Sequence, residues 1–272
     1  MMGQHGTTSG STYATIDAQY VTARLSRISA KTLLISKSDR MNLQCRVDLA
    51  SKYTAGSQIA RVLSEEWCTR ELYCPACDSD QLSQSKPNSQ LLILCVQYEA
   101  MLRAIRADRT PNLLVLQYSS TWLIQNLLLI PRVFFSQSVI EKRNPLSSQA
   151  RRAGWVGCNI LLSQIPDDGK IAVVSAGVPV LKRVVREEFS RVNRLAEIPP
   201  SLRGWTVDVL NAVRRLGESR FSLQELYESE EQLEALHPQN QNIRAKIRQQ
   251  LQILRDLGLL DFISPGEYSV RN

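Results

Sequence analysis

Apolar residues recur along the chain with two different periods. Between 41 and 70, Leu49, Tyr53, Ile59, Val62, Leu63 and Trp67 fall at roughly helical spacing and predict helix. Helical spacing returns at Ala100, Leu102, Ala104 and Ile105. Two compact apolar runs follow, Asn112 to Tyr118 and Leu127 to Ile130. The second stops at Pro131, and both predict buried strands. Lys170 to Val174 predicts another, after a basic, loop-rich stretch from Lys142 to Asn159. Helix followed by strands predicts a mixed α/β domain over 41–195.

Past Ile198-Pro199-Pro200, which reads as a linker, the pattern changes. Trp205, Val209, Leu210, Val213 and Leu216 form a helical stripe with Gly217 at the expected C-terminal cap. Ser222-Leu223-Gln224-Glu225 has the spacing of a capping box, with Phe221 and Leu226 as its hydrophobic staple. A third stripe, Ile243, Ile247, Leu251 and Leu254, ends at Gly258, and Phe262 to Tyr268 reads as a β-hairpin. Three short helices and a hairpin predict a winged helix, a helix-turn-helix variant, over 196–272. Residues 1–40 are rich in Ser, Thr, Ala and Gln and weakly patterned. They read as a disordered or non-native extension, with Met41 as the start of the patterned chain.

The 272 residues suit two ordinary domains, and a hydrophobic share of 43% supplies their cores. Net charge is +7, an excess that favours a polyanionic partner without naming one. The longest apolar run, Leu91 to Val96, is too short to span a bilayer, and the N-terminus has no apolar signal core, so a cytoplasmic, membrane-free protein is expected. Six cysteines in such a chain do not imply a disulfide framework. The two histidines, His5 and His237, sit in the weakly patterned tail and before Pro238, so a histidine base is not expected.

Charge is unevenly placed. From 201 to 272 there are nine Lys/Arg against ten Asp/Glu. The second helix holds Glu225, Glu228, Glu230, Glu231 and Glu234, whereas the third carries Arg244, Lys246, Arg248, Gln249, Gln252 and Arg255. Arg and Gln can make paired hydrogen bonds to guanine and adenine edges, and Lys neutralises phosphate. A solvated helix face is the alternative, and the segregation of charge favours a DNA surface. From 132 to 191 there are ten Lys/Arg against five Asp/Glu, and this stretch holds Arg151-Arg152-Ala153-Gly154-Trp155-Val156-Gly157. The two arginines beside a glycine-flanked Trp suit a loop entering a DNA groove. They equally suit a core Trp with solvated arginines. Cys74-Pro75-Ala76-Cys77 has the spacing of half a four-cysteine zinc site, but the chain holds no second CxxC.

Long blocks of the chain resemble the Dam-replacing, DpnI-like methylation-dependent restriction endonucleases. They include Ser57 to Trp67, Tyr73 to Cys77, Asn144-Pro145-Leu146, Ala150 to Ile160, Leu162 to Pro166, Arg203 to Thr206 and Lys246 to Asp256, so the resemblance runs from Met41 to the end. It implies a PD-(D/E)xK-type nuclease domain with a zinc-binding insert, followed by a winged-helix domain. It also implies a type II, magnesium-dependent endonuclease that binds and cleaves double-stranded DNA at G-A-T-C sites that carry N6-methyladenine; a monomer is expected. Trp155 matches the aromatic residue that senses the methylated adenines, with Arg151 and Arg152 beside it.

One departure bears on activity. In the family the first CxxC is followed by an Asp, a second CxxC and a Glu-x-Lys; the Asp and Glu hold the metal, and the Lys orients the attacking water. Here Lys86 to Cys95 occupies that place, and Glu141-Lys142 has the wrong spacing. The nuclease domain therefore reads as incomplete, no catalytic residue carries over, and Cys74 and Cys77 carry over only as half of the zinc site. Glu65 and Glu66 on the preceding helix cannot assemble a metal site alone. Two alternatives to an active endonuclease follow. One is a catalytically dead methyl-DNA-binding protein. The other is a winged-helix transcription regulator, which the nuclease-domain blocks disfavour.

Overall fold

The computed structural model describes residues 41–80 and 97–271. The extension 1–40, the apolar run 91–96, Cys95 and most of the junction from Lys86 lie outside them. Among the described residues the order is helix α1 (Gly56–Glu71), helix α2 (Tyr98–Arg106), strands β1 (Leu113–Tyr118), β2 (Ile124–Ile130), β3 (Ile140–Lys142), β4 (Cys158–Ile160), β5 (Ile171–Ser175) and β6 (Val178–Pro179). Helix α3 (Lys182–Asn193) and helix α4 (Pro200–Arg215) come next. The remainder is β7 (Arg220–Ser222), α5 (Leu223–Tyr227), α6 (Glu230–Leu236), α7 (Ile243–Asp256), β8 (Leu260–Ser264) and β9 (Glu267–Val270).

Strands β1, β2, β5 and β6 lie side by side in that order, β3 pairs with β4, and every pairing among them is antiparallel. Two elements differ from the sequence pattern. Residues 41–55 are not α-helix: they hold a 3-10 turn at Val47–Ala50, and α1 begins only at Gly56. Leu49 is 41% exposed, so it does not share the face of Leu63 and Trp67, which are fully buried. The segment is instead tied to the core through its backbone. The Trp67 indole N–H donates to the Asn42 carbonyl at 2.8 Å, and Gln44 bridges to Leu123. The second difference is α3, which buries Val185, Phe189 and Val192 against the sheet.

Helix α4 is the axis of the molecule. Pro200 occupies its first turn, where a missing N–H costs nothing, and Gly217 just past its end has φ +75°. Ten of its residues, Arg203 and Trp205 to Val213, are buried. They are buried because the helix packs against both halves, and the apolar core runs through it as one cluster.

Ion pairs and polar contacts fix the junction. Arg203 reaches Asp108 at 2.7 Å and donates to the Leu195 and Ile198 carbonyls. Asp208, buried on α4, accepts from Ser138 at 2.6 Å and meets His237 Nε2 at 2.8 Å. His237 stacks on Trp205 with ring centroids 3.6 Å apart. Its place near a helix end thus serves packing.

Asp108 connects this junction to pH. The Arg203 guanidinium, aided by Arg132, holds the Asp108 carboxyl below its ordinary range. A depressed carboxyl contributes stability that is fully present above about pH 4 and is lost as pH falls through the lowered folded value. Urea midpoints are therefore expected to drop below about pH 4, and Asp108→Asn should flatten that part of the acid limb. An unchanged limb would mean the ion pair is not felt by the folding equilibrium.

The C-terminal strands form a three-stranded sheet in the order β7-β9-β8. The order helix, strand, helices, strand, strand is that of a winged helix. The capping box is present in full: Ser222 Oγ accepts from the Glu225 N–H, and the Glu225 carboxylate accepts from the Ser222 N–H. The second helical stretch breaks into α5 and α6 at Glu228 and Ser229. Ile247, Leu251 and Leu254 of α7 are fully buried, and Ile243 is nearly so.

Candidate DNA interface

Burying Ile243, Ile247, Leu251 and Leu254 turns the opposite face of α7 to solvent. Arg244, Arg248, Gln249, Gln252 and Arg255 are exposed, and Lys246 is half-buried at the edge. The polar groups are held in place. Arg244 pairs with Glu230 at 2.7 Å and lies over the Tyr227 ring at 4.9 Å. Arg248 donates to the Tyr227 hydroxyl at 2.8 Å. Lys246 donates to Gln249 at 2.8 Å and sits 5.9 Å from the Trp205 ring centre. The acidic second helical stretch thus meets the basic helix at one ion pair, Arg244 with Glu230. In the helix-turn-helix plan the second helix of the motif enters the major groove, a place that α7 holds by chain order.

The second surface is the loop from Leu146 to Gly157. It closes on itself: the Gly154 N–H donates to the Leu146 carbonyl, the Leu146 N–H to the Trp155 carbonyl and the Trp155 N–H to the Arg152 carbonyl. Arg151 and Arg152 are exposed on it. Trp155 is half-buried, with the Arg152 guanidinium 5.1 Å from its ring centre. The indole also lies against Gly157. A Cβ on Gly157 would stand 2.7 Å from Cζ3 and 2.8 Å from Cη2 of the indole, so only glycine admits this pose. The Arg143 side chain passes within 3.4 Å of the same point. Sequence reasoning did not single out Arg143, although it lies in the same basic stretch. Nor did it single out Tyr227, whose role comes from a contact made 21 residues along the chain.

Two family models match the chain. The model described as DpnI, Dam-replacing family, matches residues 41–96 and 85–198, and that described as DpnI_C, Dam-replacing HTH domain, matches 201–270. The chain belongs to the Dam-replacing family. Its helix-turn-helix portion is the segment that carries α4 to β9, and the Trp155 loop lies inside the first match. The family assignment makes it a relative of the methylation-dependent restriction endonucleases with a DNA-binding helix-turn-helix domain. No helix among the described residues is long and apolar enough to cross a membrane.

Cys74 and Cys77 follow α1 on a tight turn. The Cys74 thiol is held below its ordinary range by hydrogen bonds from Cys77 and the backbone of Ala76 and Cys77, against a desolvation that pushes it up. Arg186 donates to the Cys74 and Ser79 carbonyls, and Lys182 pairs with Asp80 at 2.8 Å, so α3 buttresses the turn. Cys74 and Cys77 are the residues that could hold half of a tetrahedral zinc site. Among the described residues no group of three or more His, Cys, Asp or Glu side chains is placed to hold a metal. On α1, Glu66 and Glu71 are engaged with Arg70, and Glu65 lies near Arg61.

Proposed function

We propose that this chain recognises double-stranded DNA carrying N6-methyladenine at G-A-T-C, and that as written it binds without cutting. The carrying observation is the ordered, solvent-facing Arg/Gln face of α7 in a helix-turn-helix domain of this family. The Trp155 loop is the second reading surface, with Arg151 and Arg152 on phosphate and the indole on the methylated base. Arg244, Lys246, Arg248, Gln249 and Gln252 are the groups of α7 assigned to the DNA. The domains on this reading are 41–195, of PD-(D/E)xK type, and 196–272, with 1–40 outside both.

The loss of cleavage rests on the sequence. Metal-dependent phosphodiester hydrolysis uses carboxylates to hold the ion that activates water. The Asp, second CxxC and Glu-x-Lys of the resemblance have no counterpart between Cys77 and Tyr98. The family match arriving in two pieces, 41–96 and 85–198, agrees with a disturbed join there. Magnesium is therefore assigned no residue, and zinc only Cys74 and Cys77. A monomer suffices for this reading.

A salt titration tests the assignment of α7. Arg248→Ala should weaken binding about tenfold, a cost of about 1.4 kcal/mol. If Arg248 touches phosphate, the slope of log affinity against log salt also falls by about one. Unchanged affinity would return this face to solvent and sink the assignment.

A further inference from the structure

Beside the basic face of α7 the sheet carries a row of aromatic rings. Phe221, Tyr268 and Phe262 sit opposite one another on β7, β9 and β8. Phe221 stacks on Tyr268 with centroids 5.5 Å apart, and Phe262 meets Tyr268 edge-on at 6.0 Å. The row runs from the core outward: Phe221 is buried, Tyr268 half-buried and Phe262 49% exposed. Tyr268, the middle ring, lies near Tyr227 and near Arg248 and Arg255 of α7. Tyr227 in turn holds both Arg244 and Arg248.

A single exposed Phe is ordinary on a protein surface. This one differs because it ends a continuous aromatic row at the edge of a cationic face. The neighbour Ile263 is an internal comparison. It is also 49% exposed, but it falls at the irregularity between Phe262 and Ser264 in the β8–β9 register and has no partner on β9, so it stands outside the paired aromatic row.

We infer that Phe262, backed by Tyr268, is a DNA-contacting residue that lies against sugar and base edges in the groove flanking α7. The occupant is DNA because the row joins, through Tyr268 and Tyr227, the arginines of the helix face already assigned to it. Proteins that enter a groove beside such a helix commonly use apolar side chains against sugars and base steps. The contact is apolar, so it adds affinity without adding phosphate neutralisation. Phe262 would then act together with, and not through, the arginines of α7. The inference rests on the proposed DNA reading of α7.

The test compares Phe262→Ala, Phe262→Leu and Ile263→Ala with the unaltered full chain on a short methylated G-A-T-C duplex over a range of salt. Phe262→Ala is expected to weaken binding about tenfold. Its salt slope should be unchanged, because no phosphate contact is removed. Phe262→Leu should fall between, and Ile263→Ala should bind as the unaltered chain does. Equal binding by all three variants overturns the Phe262 contact while leaving the α7 reading intact. Equal losses for Phe262→Ala and Ile263→Ala also overturn it, as a general effect on the hairpin. If the unaltered chain does not bind the duplex at all, both readings fall. A concentration-dependent dimer that Phe262→Ala abolishes would reassign the patch to a second copy.

Discussion

Asp168→Ala is expected to destabilise the protein by about 3–5 kcal/mol, the cost typical of removing one partner from a buried ion pair. Asp168 is only 3% exposed and lies on the turn that leads into β5. Both of its oxygens accept from Arg214 of α4, at 2.6 Å each, and Arg191 of α3 approaches to 3.6 Å. Arg214 also donates to the Arg271 carbonyl, next to β9. One carboxylate therefore ties the sheet, α3, α4 and the end of the chain together. Its removal leaves two guanidinium groups short of a counter-charge in a largely dry place, and that uncompensated charge is the source of the cost. Asp168→Asn keeps the shape and should cost less than Asp168→Ala. Urea unfolding measures both, and a loss under about 1 kcal/mol for Asp168→Ala would mean that water reaches the arginines and replaces the pair.

Trp155→Ala should reduce affinity for methylated duplex at least about tenfold, or about 1.4 kcal/mol, while changing affinity for unmethylated duplex by less than about twofold. The expectation follows from what the indole offers. It is half-buried, with the Arg152 guanidinium and Gly157 both beside it, and so presents a held apolar surface on a cationic loop. An apolar surface distinguishes a methyl group from its absence, whereas the arginines feel the same phosphates on either duplex. Gly157→Ala is the companion test. The added Cβ would meet the indole at 2.7 Å and displace it without deleting it. Discrimination should fall there too, with the loop's arginines retained. Equal loss on both duplexes from Trp155→Ala would make the residue a structural anchor of the loop.

The parts of the fold that sequence disclosed are those written locally. The Ser222–Glu225 box needs only four consecutive residues, and both of its hydrogen bonds are present. Gly217 and Gly258 sit just past α4 and α7 with φ near +75°, where a glycine cap was expected. The buried stripe of α7 fixes which of its residues face solvent, so its polar face was legible before any contact was known. What escaped notice depends on distance along the chain. Arg214 meets Asp168 across 46 residues, Arg203 meets Asp108 across 95, and His237 reaches Asp208 across 29. A charge count cannot pair such residues.

Other misses are matters of period. Val185, Phe189 and Val192 carry the helical spacing of α3, but they are interleaved with charged residues beyond the last strand that the pattern predicts. Leu49 and Tyr53 fell on helical spacing by coincidence, because the chain there turns through a 3-10 segment and α1 starts later. At the candidate interface, sequence named Trp155 and the arginines beside it. The pose of the indole over Gly157 and the bridging by Tyr227 are tertiary facts.

The most direct test combines binding and cleavage in one experiment. The purified chain is mixed with methylated and unmethylated G-A-T-C duplexes in magnesium, and both the bound fraction and the integrity of the DNA are followed. The predicted result is preferential binding of the methylated duplex, which stays intact. Magnesium-dependent cutting at the methylated site would contradict the account, and so would equal affinity for the two duplexes.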